Sequence, residues 1–594
     1  MGAHFSKSGA IMQSHVQFKL LPMFGILKRL LKILAVCVLL AVIASAAAWF
    51  QLNPSPAEHQ IWFNANVITM DENNRIAQAV ETRDGVIVSV GSNKEILDKR
   101  DDNTVAVDAK GATILPGFIE AHGHFPGSGL FAVIANLNPP PIDTVSTLEE
   151  LQTRLRTTAS ETTPGHWIVG MGYDDTLLDT GIHPTRQDLD EVSTDQPVYI
   201  IHISGHMGVA NSKALELMGI NQDSKDPEGG EIVRDESGIP NGLLTEMAHK
   251  PATKLALKFA LPQQLQITTT SAELYARQGV TTVQNGLTMP EHVSGISLLS
   301  KIGLIKQRIV LWPSAEETLA NGEFKATKSS AKNVVIGAQK IQTDGSIQGY
   351  TGWLTETYHD VGDMPEGWTG YPTVEPSKLN KMATLAHCNG QQLAIHGNGD
   401  AAIDAALEAI AAAQKACPRD DARSIIVHAQ MTRPDQLIRM KALGATPSFF
   451  SAHTYYWGDR HTSTFMGKER ADKMSPAKSA QRIDLRFTTH LDTPVVPMEW
   501  KRQFTAPVER LSSSGKVIGE LERISRLSSL RAMTIDAAWQ NFLDKETGSI
   551  EPGKKADLVF LSGNPLSDNI EKIEVEETWV AGNRIYLRAS PLGN

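Results

Sequence analysis

Residues 114–124 read ILPGFIEAHGH, an apolar run that ends in two histidines, His122 and His124. Opened by the turn pair Pro116-Gly117, this run reads as a buried strand with the histidines at its carboxyl end. In a strand, residues i and i+2 point to the same face, so the two imidazoles project together. Two imidazoles converging from one strand end are ready metal ligands. A lone His-x-His is weak, because packed or solvated histidines show the same spacing. The apolar strand and the Pro-Gly turn before it strengthen the signal.

Working outward, apolar strands alternate with helix-like stretches, the α/β pattern. Candidate strands are Ile114–Glu120, Val280–Gln284, Arg308–Trp312, Val334–Gln342, Gln392–His396, Ser424–His428, Ala445–Phe449 and Leu485–His490. Eight is the number that closes a parallel TIM barrel, whose active site lies at the carboxyl ends of the strands. The expected fold is therefore a distorted (β/α)8 barrel over 113–545. An oversized stretch, about 126–274, reads as an inserted lid domain with helices at Thr147–Ala159 and Ser212–Met218, strands at Trp167–Met171 and Val198–Ile203, and a Gly-rich turn at Glu228-Gly229-Gly230. The flanks 54–112 and 546–594 read strand after strand, and neither holds enough strands for a stable sheet alone. Together they are expected to form one small β-sandwich.

Three further residues fall at predicted strand ends. His396 ends LAIH and His428 ends IIVH, each before small or polar residues; Asp492 follows RFTTHL. A carboxylate in that place can bind a metal and accept a proton from water. The competing readings are satisfied structural histidines and a turn or N-cap aspartate before Thr493-Pro494. Lys340 lies in the apolar run VVIGAQKIQTDGS, and a buried lysine is costly unless paired or chemically altered. A salt bridge to Asp344 is the plain alternative to modification.

These features resemble the amidohydrolase superfamily, in its family 3 branch of N-substituted formamide deformylase-like enzymes. The motifs are PGFIEAHGHF, SGHMGVANSKAL, EGGEIVRDESGIPNGLLTE, QKIQTDGS, HGNGD, SFFSAHTYYWGDRH and GSIEPGKKADLVFLSGNPL, spread over about Gln60 to Tyr586. The resemblance implies one or two divalent metals, zinc being expected, held by His122, His124, Lys340 as a shared carboxylated lysine, His396, His428 and Asp492. It also implies hydrolysis of a non-peptide C–N bond in a small-molecule amide, with Asp492 as the catalytic proton carrier. An ester or lactone hydrolase on the same site, or an inactive binding module, are the alternatives. His206, His453 and His490 are candidate substrate contacts, while Trp457 is expected to pack. The alternatives are that His206 caps Asn211 or a turn, and that His490, two residues before Asp492 and so facing the same way, supports the ligands instead. Two departures from the family pattern are Glu120, where Asp commonly stands, and Asn285, where acidic residues are frequent; each bears on hydrogen bonding around the ligands.

Composition sets limits on the rest. A net charge of -10, with no basic stripe or zinc-finger spacing, argues against nucleic acid as partner. No P-loop, dinucleotide fingerprint or Gly-x-Ser-x-Gly elbow offers a rival chemistry. Of the three cysteines, Cys37 lies in an apolar run, so at most one internal bridge, Cys388 to Cys417, can form; two free buried thiols are the expectation. Lys28, Arg29 and Lys32 precede the apolar run 33–50, which reads as a cleaved signal peptide or an uncleaved anchor within 1–53. Either places the bulk of the chain outside the cytoplasm, with membrane contact only through that segment. Self-association is left open.

Overall fold

The structure, a computed structural model, describes residues 59–319, 327–362 and 364–589. The apolar run 33–50 lies outside the described residues. Among the described residues no helix is long and apolar enough to cross a membrane.

Parallel strands succeed one another in chain order through the middle of the molecule. Phe118–Ile119, Val280–Thr288, Arg308–Pro313 and Val334–Ile336 form one set. Gln339–Gln342, Leu393–Gly397, Ile425–His428, Thr446–Phe449 and Thr488–Thr489 form the next. A bridge between Ser314 and Lys340 joins the two sets. At the other end His124 N donates to Thr493 O at 2.7 Å, and Asp492 N lies 3.3 Å from His122 O.

Two expected strands are divided, for reasons visible in the backbone. The run 114–120 changes sheets at Pro116-Gly117. Thr113–Pro116 pairs with Leu558–Leu561 and Asn66–Ile68, while Phe118–Ile119 pairs with Val280–Thr288. Gly117 N still bonds Asp557 O, whereas Phe118 N bonds Gly279 O. The run 334–342 breaks at Gly337-Ala338: Gly337 N bonds Leu311 O, and Gln339 N turns to Gln392 O. Strand eight shortens to Thr488–Thr489.

Residues from both ends of the chain build two further sheets. One runs Val86–Gly91, Ala79–Arg83, His59–Phe63, Val105–Asp108; the other runs Asn583–Leu587, Val575–Val580, Leu558–Leu561, Thr113–Pro116, Asn66–Ile68, Ile76–Ala77. They share one apolar core, in which Trp62 of the first meets Phe560 and Trp579 of the second at ring distances of 5.5 and 5.1 Å. Strand Thr113–Pro116 thus belongs with the terminal segments, a correction to the boundary expected at 112.

The long insertion forms its own six-stranded sheet, Gly230–Arg234, Pro240–Glu246, Met207–Ala210, Val198–His202, Ile168–Tyr173, Ala135–Asn136. Its helix Leu148–Glu161 opens on a capping box, Thr147 accepting from Glu150 N while the Glu150 carboxylate reaches back to Thr147 N. Cys388 and Cys417, expected as free thiols, are disulfide-bonded. Each ends a helix, Pro376–Cys388 and Asp400–Ala416, and the two helices pack side by side, which brings the sulfurs together.

Candidate metal centre

Five of the six predicted ligands stand at or just beyond the carboxyl ends of the parallel strands, Lys340 lies inside strand Gln339–Gln342, and their polar atoms converge. Asp492 Oδ1 lies 3.3 Å from His122 Nε2 and 3.2 Å from His124 Nε2; Asp492 Oδ2 lies 3.9 Å from His428 Nε2. His428 Nε2 is 3.1 Å from His396 Nδ1, and Lys340 Nζ is 3.2 Å from His122 Nε2. His124 keeps 34% of its side chain exposed, and the other five are buried. His428 and Asp492 adopt φ of 70° and 56°, a left-handed backbone that is costly for a histidine and persists where the surrounding structure demands it.

The donor set suits a divalent cation. His122, His124 and Asp492 offer one ligand atom each within 4.8 Å of one another. Asp492 Oδ1 is buried with no hydrogen-bond donor, an arrangement that costs free energy unless a cation sits against it. Imidazole nitrogens with a carboxylate are the ligands that zinc and similar metals take.

A second layer aims these ligands. His396 Nε2 faces Gly345 O at 3.1 Å and Asp344 Oδ1 at 3.3 Å, which turns Nδ1 inward. Asp344 does not pair with Lys340; it accepts from the backbone N–H groups of Trp353, Asn398 and Gly399 at 2.9, 3.1 and 2.8 Å. His428 Nδ1 lies 3.1 Å from His490 Nε2, and His490 Nδ1 lies 3.0 Å from Ser448 Oγ, to which Thr488 Oγ1 donates at 2.8 Å. Gly286 lets the chain pass over His122, since a Cβ there would fall 2.1 Å from Cε1 and 2.3 Å from Nδ1 of that ring. Trp312 stacks on the same imidazole, centroids 5.3 Å apart.

Burial draws the Lys340 amine down to about 8, against the opposing pull of Asp492. Burial also raises Glu120 to about 8; its Oε1 accepts from Leu491 N at 3.1 Å. Asn285 bridges to His124 and lines the cavity.

That cavity, about 720 Å³, opens directly onto the six residues and is also lined by residues of the insertion, Leu130, Met171, Ile201 and His206 among them. His206 lies on its wall, with Nδ1 3.0 Å from Glu246 Oε2 and its ring 5.4 Å from that of His396. Burial alone would lower the His206 pKa, but the Glu246 carboxylate outweighs it and holds the value above the ordinary one. The other two candidate contacts lie elsewhere, His490 in the supporting role that is its alternative reading. His490 and His453 do not line the cavity; His490 is spent on orienting His428, and His453 is buried against Phe450, ring centroids 4.1 Å apart. Trp457 packs on His453 as expected.

A second His/Asp group, Asp174, Asp175 and His202, sits in the insertion. Arg460 pairs with Asp174 at 2.7 Å, and His202 Nε2 lies 3.0 Å from Asp175. The group ties the insertion to the segment after strand Thr446–Phe449.

Comparison with known proteins places most of the chain. The family model described as "Amidohydrolase family" matches residues 105–586. The chain is 28% identical over 558 residues to N-substituted formamide deformylase of Arthrobacter pascens, covering 88% of this chain and 98% of that one. It is 28% identical over 539 residues to the protein LONG AFTER FAR-RED 3 of Arabidopsis thaliana, covering 88% and 91%. An uncharacterized metal-dependent hydrolase from Pyrococcus horikoshii OT3 shares the fold, with a TM-score of 0.68 at 24% identity over 86% of this chain and 99% of that one. The chain belongs to the amidohydrolase family.

Proposed function

We propose that the protein hydrolyses an amide-type C–N bond of a small molecule, outside a peptide backbone, with water as nucleophile. The observation that carries this reading is Asp492 Oδ1, buried without a donor between His122 and His124 at the floor of the cavity. The Arthrobacter relative, a formamide deformylase, supports a C–N bond as the target. Parallel strands in chain order, with contacts joining both ends of the series, support a distorted (β/α)8 barrel; the two terminal sheets support a β-sandwich, and the insertion supports a lid.

A divalent cation, zinc being our expectation, would be held by His122, His124, Lys340, His396, His428 and Asp492, and would make water nucleophilic near neutral pH and polarise the carbonyl. Asp492 takes the proton of the attacking water on a carboxylate oxygen and hands it to the departing nitrogen. Asp344 and His490 keep His396 and His428 turned inward. His206, backed by Glu246, stands across the cavity to hydrogen-bond the substrate. The lowered pKa of Lys340 supports its carboxylation, since only the neutral amine reacts with carbon dioxide. The Cys388–Cys417 disulfide supports an extracytoplasmic location reached through the signal or anchor in 1–53.

The test is metal content of the protein and of Lys340→Ala, each assayed on N-substituted formamides. About two metal equivalents, falling in the variant together with turnover, are expected for a shared lysine. One equivalent unchanged in Lys340→Ala would leave that lysine structural. Absence of metal after reconstitution would refute the hydrolase reading.

A further inference from the structure

Beyond the six residues at its floor, the cavity has a different character. Its upper walls carry Leu130, Met171, Ile201 and Phe259 from the insertion side, and Ile296 and Leu299 from helix His292–Lys301. Leu130 and Phe259 pack at the edge of one apolar core, Ile296 and Leu299 at the edge of another, and all four remain partly exposed. Their uncovered surface faces a common space.

The charges are distributed just as unevenly. Among the described residues no arginine lines the cavity, and the one lysine that does, Lys340, is at the floor. His249, higher on the wall, is driven by burial to about 3 and is neutral, its Nδ1 2.6 Å from Tyr199 OH. Glu291, a carboxylate, stands exposed at the start of helix His292–Lys301 beside the exposed His292. His206, whose pKa is held up, sits beside His396 and is already paired with Glu246. A substrate carboxylate against the apolar walls would therefore lose its water without gaining an unpaired cation, which is strongly unfavourable. A hydrocarbon arm would gain from every methylene buried.

We infer that the cavity is a sleeve for an uncharged hydrocarbon arm attached to the reacting amide, and that amides ending in a carboxylate, such as N-acyl amino acids, are rejected. The inference rests on the hydrolase reading for the amide and on the walls for the arm. A volume of about 720 Å³ is that of a pocket for a medium-sized organic ligand, far more than a formamide group alone requires.

The experiment separates the two. Binding to the metal-loaded protein is measured by calorimetry for alkyl hydroxamates and N-alkyl-N-hydroxyformamides of increasing chain length, which carry the arm on the carbonyl or the nitrogen side. Matched probes end in a carboxylate. Affinity should rise about fourfold per methylene in at least one series, and fall about a hundredfold when the end is a carboxylate. Leu299→Arg, with metal content and melting temperature as controls, should narrow or reverse that carboxylate penalty. Affinity independent of length, equal or tighter binding of the carboxylate probes, or no binding at all would overturn the sleeve. N-alkylformamide turnover is followed in parallel. Length-dependent binding with no turnover of any amide would leave the sleeve standing and refute the hydrolase reading; turnover without length dependence would do the reverse.

Discussion

Replacing Gly286 by alanine tests how the candidate metal ligands are seated. The added Cβ would sit 2.1 Å from His122 Cε1 and 2.3 Å from Nδ1, where ordinary carbon contacts are about 3.5–4 Å. Ring or chain must therefore yield by more than about an ångström. Neither has room. Gly286 N is tied to Gly123 O at 2.6 Å, Gly123 N to Gln284 Oε1 at 2.8 Å, and Trp312 stacks on the ring. Overpacking of this kind costs about 1–3 kcal/mol in stability. A first ligand swung off line should weaken metal binding by about 10–100-fold, the range seen when ligand support is lost. The assay is chelator competition for zinc alongside thermal unfolding. Gly295→Ala serves as control: it also lines the cavity, but its Cβ meets nothing within 4 Å, and in a helix the change should gain up to about 1 kcal/mol. Gly286→Ala protein that holds metal within about threefold of wild type, a change well below that range, would refute the reasoning.

Two further predictions concern stability. The Cys388–Cys417 bond closes a sequence separation of 29, so Cys388→Ser should lower stability by about 3–4 kcal/mol on the chain-entropy account; an unchanged urea midpoint would mean that the bond contributes nothing. Asp536 is raised from 3.8 to about 6, burial outweighing Arg486 at 3.1 Å. A raised folded pKa means that its favourable contribution is complete below about pH 3.8 and lost as pH climbs through 6, a span worth about 3 kcal/mol. Asp536→Asn should therefore stabilise the protein more at pH 7.5 than at pH 4, and equal effects at both would contradict this.

The candidate histidine and aspartate ligands were legible from local rules. His122, His124, His396 and His428 end apolar runs, and an apolar run that stops at a histidine marks a strand end. Asp492 was readable by its order in the series. What surrounds them follows no local rule. Asp344 supports His396 through three backbone N–H groups contributed by Trp353, Asn398 and Gly399, an arrangement that exists only after folding. His490 sits two residues before Asp492 and was expected to share its direction; the left-handed φ of Asp492 accompanies their separation into a ligand facing the cavity and a buried support. The break at Gly337 and the sheet change at Pro116-Gly117 depend on which neighbour claims each N–H, information carried by distant strands. Cys388 and Cys417 pair because two helices pack side by side, which no spacing announces.

The strand Leu558–Leu561 lies between Thr113–Pro116 and Val575–Val580, so one sheet joins segments more than four hundred residues apart in the sequence. Without that partner, Ile114 and Leu115 would stand on an unpaired, apolar edge, a template for association with other chains. The pairing therefore hides an edge as well as building a sheet, and a change that loosens Leu558–Leu561 is expected to show itself first as self-association.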